Sequence, residues 1–222
     1  MLRNALSRIY DVTIRKYLPR QLKVYNGFAA PSEHRLLDVG YEPAFHGYEV
    51  ALCDAVRRTI QPNDGSVVIG GGRGISSILC AEHAYPGGTV DVFEASVDQC
   101  RDIRTAVEYH GSGDRVTVHH AAIGEIRNAY GRVAEPTRLA PADLPSMDVL
   151  VMDCEGAERT VLDELYERPR AIVVETHGCF DSPTDVIMEE LEQMGYTVEL
   201  SGWEDKSRDI AILTATQCSS DS

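Results

Sequence analysis

The sequence predicts an α/β fold built on a doubly wound, mostly parallel sheet of about seven strands that ends in an antiparallel hairpin. Between residues 66 and 194, short runs of β-branched and apolar residues alternate with amphipathic stretches. This alternation is typical of parallel strands joined by helices that cover both faces of a sheet. Five residues separate the last two strand-like runs, at 196–203 and 209–216, whereas a parallel crossover needs about a dozen. These two strands must therefore pair antiparallel at the edge of a Rossmann-like sheet.

Composition favours one sizeable domain with an acidic surface. The chain has 222 residues, and 35 Asp and Glu against 21 Lys and Arg give it a formal net charge of −14. A surface of this sign repels polyanions, so we exclude nucleic acid as a partner. Three residues are lysines, and their scarcity together with the excess of carboxylates predicts a halophilic protein.

Cysteine usage and hydropathy indicate a protein of the reducing cytoplasm. The six cysteines show no C-x-x-C spacing and mostly lie within apolar runs, as buried free thiols do. No apolar run approaches the roughly 18 residues that span a bilayer. Charges spread over residues 3–16 leave no apolar core for a signal peptide. We therefore expect a cytoplasmic protein without a membrane span.

The first 23 residues carry six basic side chains against a lone Asp11, and their apolar positions lie roughly on one helical face. A helix packed on the domain accounts for this pattern. The alternative is an arm that makes peripheral contact with an anionic lipid surface or with a phosphate-bearing acceptor. The turn at Asn26-Gly27 then predicts a small hairpin or irregular cap over residues 24–39, and residues 48–60 have the pattern of a helix.

These features predict three parts of the chain: an N-terminal helical and cap extension over 1–62, a cofactor-binding domain over 63–217, and a polar tail over 218–222. Within the domain, each predicted strand is followed by a helix, except that the glycine and prolines of 124–146 predict a loop. The predicted strand–helix pairs are 66–70 with 74–84, 89–95 with 97–109, 148–153 with 157–167, and 171–176 with 183–194, and strand 115–121 precedes the loop.

Residues 66–74, Ser-Val-Val-Ile-Gly-Gly-Gly-Arg-Gly, predict a strand, a tight glycine turn and the start of a helix. Glycines let the backbone pass close to a ligand, and a helix start offers free N–H groups. Glu94 follows Gly74 by 20 residues at the end of the next predicted strand, where a carboxylate can accept hydrogen bonds from ribose hydroxyls. The first half of the domain is therefore predicted to bind a cofactor that contains a nucleoside.

The glycine spacing disfavours a dinucleotide. The fingerprint G-x-G-x-x-G/A requires a small residue at its sixth position, where this sequence has Ile75. The spacing Gly70-x-Gly72-x-Gly74, together with the terminal hairpin, is that of S-adenosylmethionine-dependent methyltransferases with the class I fold. We therefore predict S-adenosylmethionine as the cofactor.

The second half of the domain resembles the FkbM family of S-adenosylmethionine-dependent methyltransferases. Residues 153–158, Asp-Cys-Glu-Gly-Ala-Glu, match the D-x-E-G-A-E segment that follows the fourth strand in that family. Glu175 and His177 match the acidic residue and the histidine that close its fifth strand, and Ala121-Ala122-Ile123-Gly124 resembles its segment after the third. The resemblance implies O-methylation of a hydroxyl on a sugar, a glycan or a similar polyhydroxylated small molecule.

The loop and the resemblance together define the predicted site residues. For the cofactor they are Gly70, Gly71, Gly72, Arg73, Gly74, Glu94, Ala95, Ala121, Ala122 and Asp153. Asp153, at the end of the fourth strand, is the first candidate for a general base or for holding the acceptor. His177 is the alternative base, and Glu155 lies on the same strand face as Asp153.

Each catalytic candidate also has a structural interpretation. Glu155 or Asp153 could only cap the following helix, and His177 could be a structural histidine. Glu158, inside that helix, is expected to be a surface or salt-bridge residue. Asp153, Glu155, Glu175 and His177 could together hold a divalent cation, but nothing in their spacing demands one, so we assign no metal.

Two departures from the family pattern leave other functions open. Val68 stands where the family has an aspartate before the glycine loop, and Val151 stands where it has a lysine. A catalytically degenerate binding or scaffold protein is therefore the main alternative. An NAD(P)-dependent reductase is a weaker one, since the sequence has no Tyr-x-x-x-Lys pair. The acceptor pocket is expected to come from the N-terminal segment and from 124–146.

Overall fold

The computed structural model describes residues 21–32, 44–124 and 135–217. Most of the predicted N-terminal helix and the polar tail lie outside these residues. The predicted hairpin is present: β1 (Gln21–Tyr25) and β2 (Phe28–Ser32) pair antiparallel around Asn26-Gly27, and β3 (Ala44–Phe45) adds parallel to β1. The helix prediction was wrong over residues 21–23, because pairing with β2 draws them into β1.

In the described residues the main sheet has eight strands, which are β4 (Ser66–Ile69), β5 (Val90–Glu94), β6 (Val116–Ile123), β7 (Thr137–Leu139), β8 (Val149–Met152), β9 (Ala171–His177), β10 (Tyr196–Asp205) and β11 (Ile210–Gln217). Their order across the sheet is β10-β11-β9-β8-β4-β5-β6-β7. The parallel part of the sheet confirms the predicted alternation, and β11 pairs antiparallel with both β9 and β10 as the short connection requires.

Helices cover both faces of this sheet, so it is doubly wound as predicted. The helices are α1 (Val50–Thr59), α2 (Ile75–His83), α3 (Val97–Tyr109), α4 (Glu158–Asp163) and α5 (Thr184–Gln193). Alternate residues of each central strand point to opposite faces: Val68 joins a core with α1, α2 and α3, whereas Val67 and Ile69 join a second core with α4 and α5. None of the helices in the described ranges has the length and apolar character needed to cross a membrane.

The segment predicted as a loop over 124–146 contains one more strand. Thr137–Leu139 pairs parallel with the end of β6, and a short 3₁₀ turn follows at Pro141–Asp143. Strand β7 lies at the edge of the sheet, where Thr137 and Arg138 are exposed. Its sequence therefore lacks the alternation of apolar and polar residues that predicts a strand. The sheet therefore has eight strands rather than about seven.

The cysteines of the described residues are free thiols, as predicted. Cys53, Cys80 and Cys100 are buried, Cys154 is partly buried and Cys179 is exposed. Cys218 lies outside the described residues.

The turn between β4 and α2 is fixed by the end of β8. Gly70 has a φ of +80°, and a Cβ there would overlap the carbonyl oxygen of Asp153. The backbone N–H of Asp153 donates to the carbonyl of Ile69 at 2.9 Å. The glycine turn and the first residue after β8 are thus in direct backbone contact, which only glycine permits.

We expect Gly70→Ala to destabilise the protein much more than Gly195→Ala does. Gly195 has a similar φ of +93°, but nothing in the described chain lies within 4 Å of a Cβ built there. The Gly195 variant therefore measures the cost of the left-handed backbone, about 1 kcal/mol. The free energy of unfolding of the Gly70 variant should fall by about 2 kcal/mol more than that, because β8 must shift to make room for the new Cβ. Urea denaturation measures both, and equal losses would contradict the close contact.

Candidate active site at the carboxyl end of the sheet

Glu94 closes β5 in front of the glycine turn. Its carboxylate is buried, and Oε1 accepts a hydrogen bond from the backbone N–H of Ser96 at 2.7 Å. Burial raises the pKa of Glu94, while hydrogen bonds from the backbone amides of Ser96, Gly72 and Gly71 oppose the rise. The predicted acidic residue and the predicted glycines therefore form one connected unit.

Arg73 links the glycine turn to the N-terminal sheet. Its guanidinium lies 4.5 Å from the centre of the Tyr25 ring, and Nη1 donates to the carbonyl of Pro31 at 3.2 Å. The ring of Tyr48 is also within 5.9 Å. These contacts tie the β1–β2 hairpin to the turn, whereas a contact from Arg73 to a cofactor stays a prediction.

The three alanines predicted at the cofactor site differ in accessibility. Ala95 is partly exposed just beyond Glu94. Ala121 and Ala122 are buried near the end of β6, where they pair with β7. Their side chains therefore offer little surface to a ligand, although they lie at the same end of the sheet.

Asp153 and His177 do come together, because β8 and β9 are adjacent parallel strands whose carboxyl ends meet. His177 is 3% exposed, and its Nε2 lies 3.6 Å from Oδ1 of Asp153. The same nitrogen lies 3.8 Å from Oε1 of Glu175. The Asp153 side chain keeps 22% of its surface exposed, so it is the accessible member of this group.

Glu158 was expected to be a surface or salt-bridge residue, and the surface alternative was wrong. It is 0% exposed, and its Oε1 accepts from Nδ1 of His177 at 2.7 Å. The inward turn comes from Gly156, whose φ is +99° and whose missing side chain leaves room for the backbone of Phe180. The first residue of α4 therefore points into the site, although nothing in the helical pattern indicates it.

Glu155 does not cap α4. The N-cap is Ala157, and no described side chain caps this helix. Glu155 is partly exposed with a φ of +53°, and one of its carboxylate oxygens lies within 4.8 Å of a ligand atom of both Asp153 and His177. The three predicted catalytic residues thus form one cluster.

Two further carboxylates reach this end of the sheet from distant parts of the chain. Oε1 of Glu204, on β10, accepts from the N–H of Ala51 at 2.9 Å and of Leu52 at 3.4 Å, so it caps α1. Glu49 precedes α1 and interacts electrostatically with Asp153 and Glu204. The sequence offers no local pattern that unites residues so far apart, and both were missed.

The cluster holds more buried carboxyl groups than the nearby cationic side chains can keep ionised. Burial and then the neighbouring carboxylates raise the pKa of Glu49 to about 8 and that of Glu175 to about 10. Burial also raises the pKa of Asp153 to about 7, with His177 opposing the rise. Burial would lower the pKa of His177, but its hydrogen bond to Glu158 and the surrounding carboxylates raise it. A cation bound at this end of the sheet would favour the ionised form of these carboxyl groups.

Comparison with solved structures identifies the architecture. A precorrin-6y C5,15-methyltransferase from Geobacter metallireducens GS-15 is similar over 86% of this chain and 93% of its own, with a TM-score of 0.54 and 17% identity. The match to a ribosomal protein L11 methylase from Lactobacillus delbrueckii subsp. bulgaricus covers 78% of this chain and 81% of that protein, with a TM-score of 0.54 and 12% identity. The match to a SAM-dependent O-methyltransferase from Thermotoga maritima covers 92% of this chain and 80% of that protein, with a TM-score of 0.52 and 13% identity.

This is the class I methyltransferase fold. The fold prediction is confirmed, while identities this low leave chemistry and acceptor undetermined. No family model and no curated protein matches the sequence. Membership of the FkbM family therefore stays a prediction.

We expect Glu158→Gln to destabilise the protein by about 2 kcal/mol, since a hydrogen bond to a charged group contributes about 1.5–3 kcal/mol. The matched control is Asp91→Asn. Asp91 Oδ1 also lies 2.7 Å from a histidine, Nε2 of His119, but these side chains are 34% and 38% exposed, so the loss should stay below about 1 kcal/mol. Urea denaturation in buffer with EDTA measures both.

The contribution of the Glu158–His177 pair should depend on pH. Folding lowers the pKa of Glu158, so its contribution is present above its unfolded value and is lost in acid. Folding raises the pKa of His177, so its contribution is present below about 6.5 and is lost as the pH rises through the folded value. The effect of Glu158→Gln should therefore be largest between about pH 4.5 and 6.5. A loss that is constant up to pH 9 would contradict the charged pair.

Proposed function

We propose that this protein binds S-adenosylmethionine and transfers its methyl group to a hydroxyl of a small molecule. The observation that carries the proposal is the contact between the Gly70 turn and Asp153, which brings the glycine turn beside a cluster of buried carboxyl groups. Carboxylates nearby stabilise a sulfonium cation. The residues fit this cofactor: Glu94 faces the turn, and among the described residues a Cβ at Gly72 would meet no atom nearer than the Tyr48 hydroxyl at 3.8 Å.

When bound, the cofactor supplies an electrophilic methyl carbon, and the chain must orient and deprotonate the acceptor hydroxyl. Asp153 suits the role of base better than His177 does. It is the more exposed of the two, and with a pKa of about 7 it can accept a proton near neutral pH. The side chain of His177 is 4% exposed and its Nδ1 is bound to Glu158, so His177 is the less accessible of the two. We assign His177 a positioning role beside Asp153.

The two departures from the family pattern also fit an active enzyme. Val68 and Val151 are direct neighbours across β4 and β8, and both are buried in the same core. An aspartate and a lysine at these positions would face each other as a pair, so two valines replace both members without leaving a buried charge alone. The two valines are therefore compatible with an active enzyme and do not by themselves indicate a degenerate scaffold.

For the acceptor we propose a hydroxyl of a sugar, a glycan or a similar polyhydroxylated compound. The support is the D-x-E-G-A-E segment, whose Asp153, Glu155 and Glu158 all belong to the cluster. The structural neighbours are named for a precorrin, a ribosomal protein and O-methyl transfer, and share no acceptor class.

Calorimetric titration tests the cofactor. We expect S-adenosylmethionine and S-adenosylhomocysteine to bind with micromolar affinity and NADH and NADPH not to bind, at low or molar salt. Glu94→Gln should weaken binding about tenfold or more, because it loses a charged acceptor of hydrogen bonds. Asp91→Asn, a carboxylate on the same strand, should bind as the wild type does. Failure of both adenosyl compounds to bind at any salt would leave the scaffold hypothesis in its place.

Asp153→Asn should lower the rate of methyl transfer by about 10²–10⁴, because general-base catalysis contributes on that order. Because asparagine keeps the shape of the side chain, affinity for the cofactor should fall far less than the rate does. Transfer of a tritiated methyl group to a panel of polyhydroxylated acceptors measures the rate, with the exposed Asp163→Asn as control. An Asp153→Asn protein that methylates at the wild-type rate would exclude this residue as the base.

A further inference from the structure

The cluster of Asp153, Glu155 and His177 has the geometry of a cation site. One ligand atom from each residue lies within 4.8 Å of the other two. Nε2 of His177 and Oδ1 of Asp153 are 3.6 Å apart, too far for a good hydrogen bond. Two ligands of one divalent cation, each bound at about 2.0–2.2 Å, have a separation of this size.

His177 is oriented as a metal-binding histidine is. Its Nδ1 is occupied by the buried Glu158 at 2.7 Å, which fixes the ring and turns Nε2 toward Asp153 and Glu175. A carboxylate that binds the far nitrogen is the usual support of a histidine ligand, because it sets the tautomer and raises the basicity of the ligating nitrogen. The orientation of His177 is thus set by a residue outside the three-residue cluster, and it directs Nε2 into that cluster.

Glu175 adds a second independent observation. It is 8% exposed, and its Oε2 is buried without a hydrogen-bond partner among the described residues. Its other oxygen lies 3.8 Å from Nε2 of His177, so the side chain is directed into the cluster. A buried carboxylate oxygen without a partner is costly, and a cation nearby would compensate it.

We propose that Asp153, Glu155 and His177 bind one divalent transition-metal cation, with Glu158 orienting His177 and Glu175 lining the same position. One imidazole and two carboxylates suit Mn²⁺, Co²⁺ or Zn²⁺ better than Ca²⁺, which prefers a set of oxygens only. Binding of the cation does not depend on the proposed methyl transfer.

The role of the cation does rest on the proposed function. A hydroxyl oxygen of the acceptor bound to the cation becomes more acidic. Asp153 would offer Oδ1 to the cation and keep Oδ2 to accept the hydroxyl proton. The acceptor oxygen would form its bond to the methyl carbon as the bond from that carbon to the sulfonium sulfur breaks, which releases S-adenosylhomocysteine. The acceptor class is then narrowed to hydroxyl compounds that can bind a cation.

Titration of the EDTA-treated, desalted full chain with Mn²⁺, followed by the electron paramagnetic resonance signal of the free ion, tests the site. We expect one strongly bound Mn²⁺ per chain. His177→Gln and Glu155→Gln should each weaken binding at least tenfold, and Glu158→Gln about 10–100-fold as a supporting residue. His119→Gln is the matched control, since His119 also pairs with a carboxylate but lies outside the cluster.

Glu155 is partly exposed, so its variant keeps the test decisive even where Glu158→Gln fails to fold. Near-ultraviolet circular dichroism checks the fold of each variant. The proposal is overturned by the absence of Mn²⁺, Co²⁺ and Zn²⁺ binding at millimolar concentration. It is equally overturned by binding that His177→Gln and Glu155→Gln leave unchanged, which would assign the ion to surface carboxylates. Calorimetric binding of S-adenosylmethionine by the same protein would then leave the proposed function standing.

Discussion

The buried hydrogen bond between Glu158 and His177 organises the carboxyl end of the sheet. Both side chains are buried from solvent, so the hydrogen bond between them compensates the loss of hydration of each. The bond joins the start of α4 to the end of β9 and fixes which nitrogen of the imidazole faces the site. The remaining carboxyl groups, above all Asp153 and Glu175, lie around that imidazole, while Arg73 and Arg208 act on Glu49 and Glu155. A bound cation would favour the ionised form of the buried carboxyl groups.

A second constraint couples this charged cluster to the glycine turn. Gly70 lies against the backbone of Asp153, so a shift of β8 would move the turn as well as the carboxylate. Glu94 holds the other side of the turn through backbone amides. A ligand seated on the turn is therefore placed relative to Asp153 by rigid strands rather than by flexible loops, the arrangement that a precise in-line transfer requires.

The N-terminal hairpin reaches the same region. Arg73 leaves the glycine turn to stack on Tyr25 and to donate to Pro31, while Tyr48 packs edge-on against Tyr25 at 5.0 Å. Glu204 caps α1 from the opposite edge of the sheet. Elements from both ends of the chain thus border the site, which is where variable segments would define an acceptor pocket.

The sequence alone was sufficient to predict the alternation of strands and helices, the terminal hairpin and the end of the sheet at which the site lies. These features depend on local periodicity and connection length, which are properties of neighbouring residues. Asp153, Glu155 and His177 became candidates through the D-x-E-G-A-E segment and the resemblance to the FkbM family, and Glu94 through its place at the end of a predicted strand. The edge strand β7 was missed, since a short polar strand is defined by its partner rather than by its own pattern.

Only the tertiary structure decided what surrounds those candidates. Glu158 turns inward because Gly156 lets the chain approach Phe180, a contact between segments that helical periodicity does not record. Glu49, Glu175 and Glu204 meet at one end of the sheet because β9, β10 and α1 pack there, although more than a hundred residues separate the first from the others. Charge, burial and unpaired oxygens arise from these long-range contacts, and so the features on which we base the proposed cation site are properties of the fold.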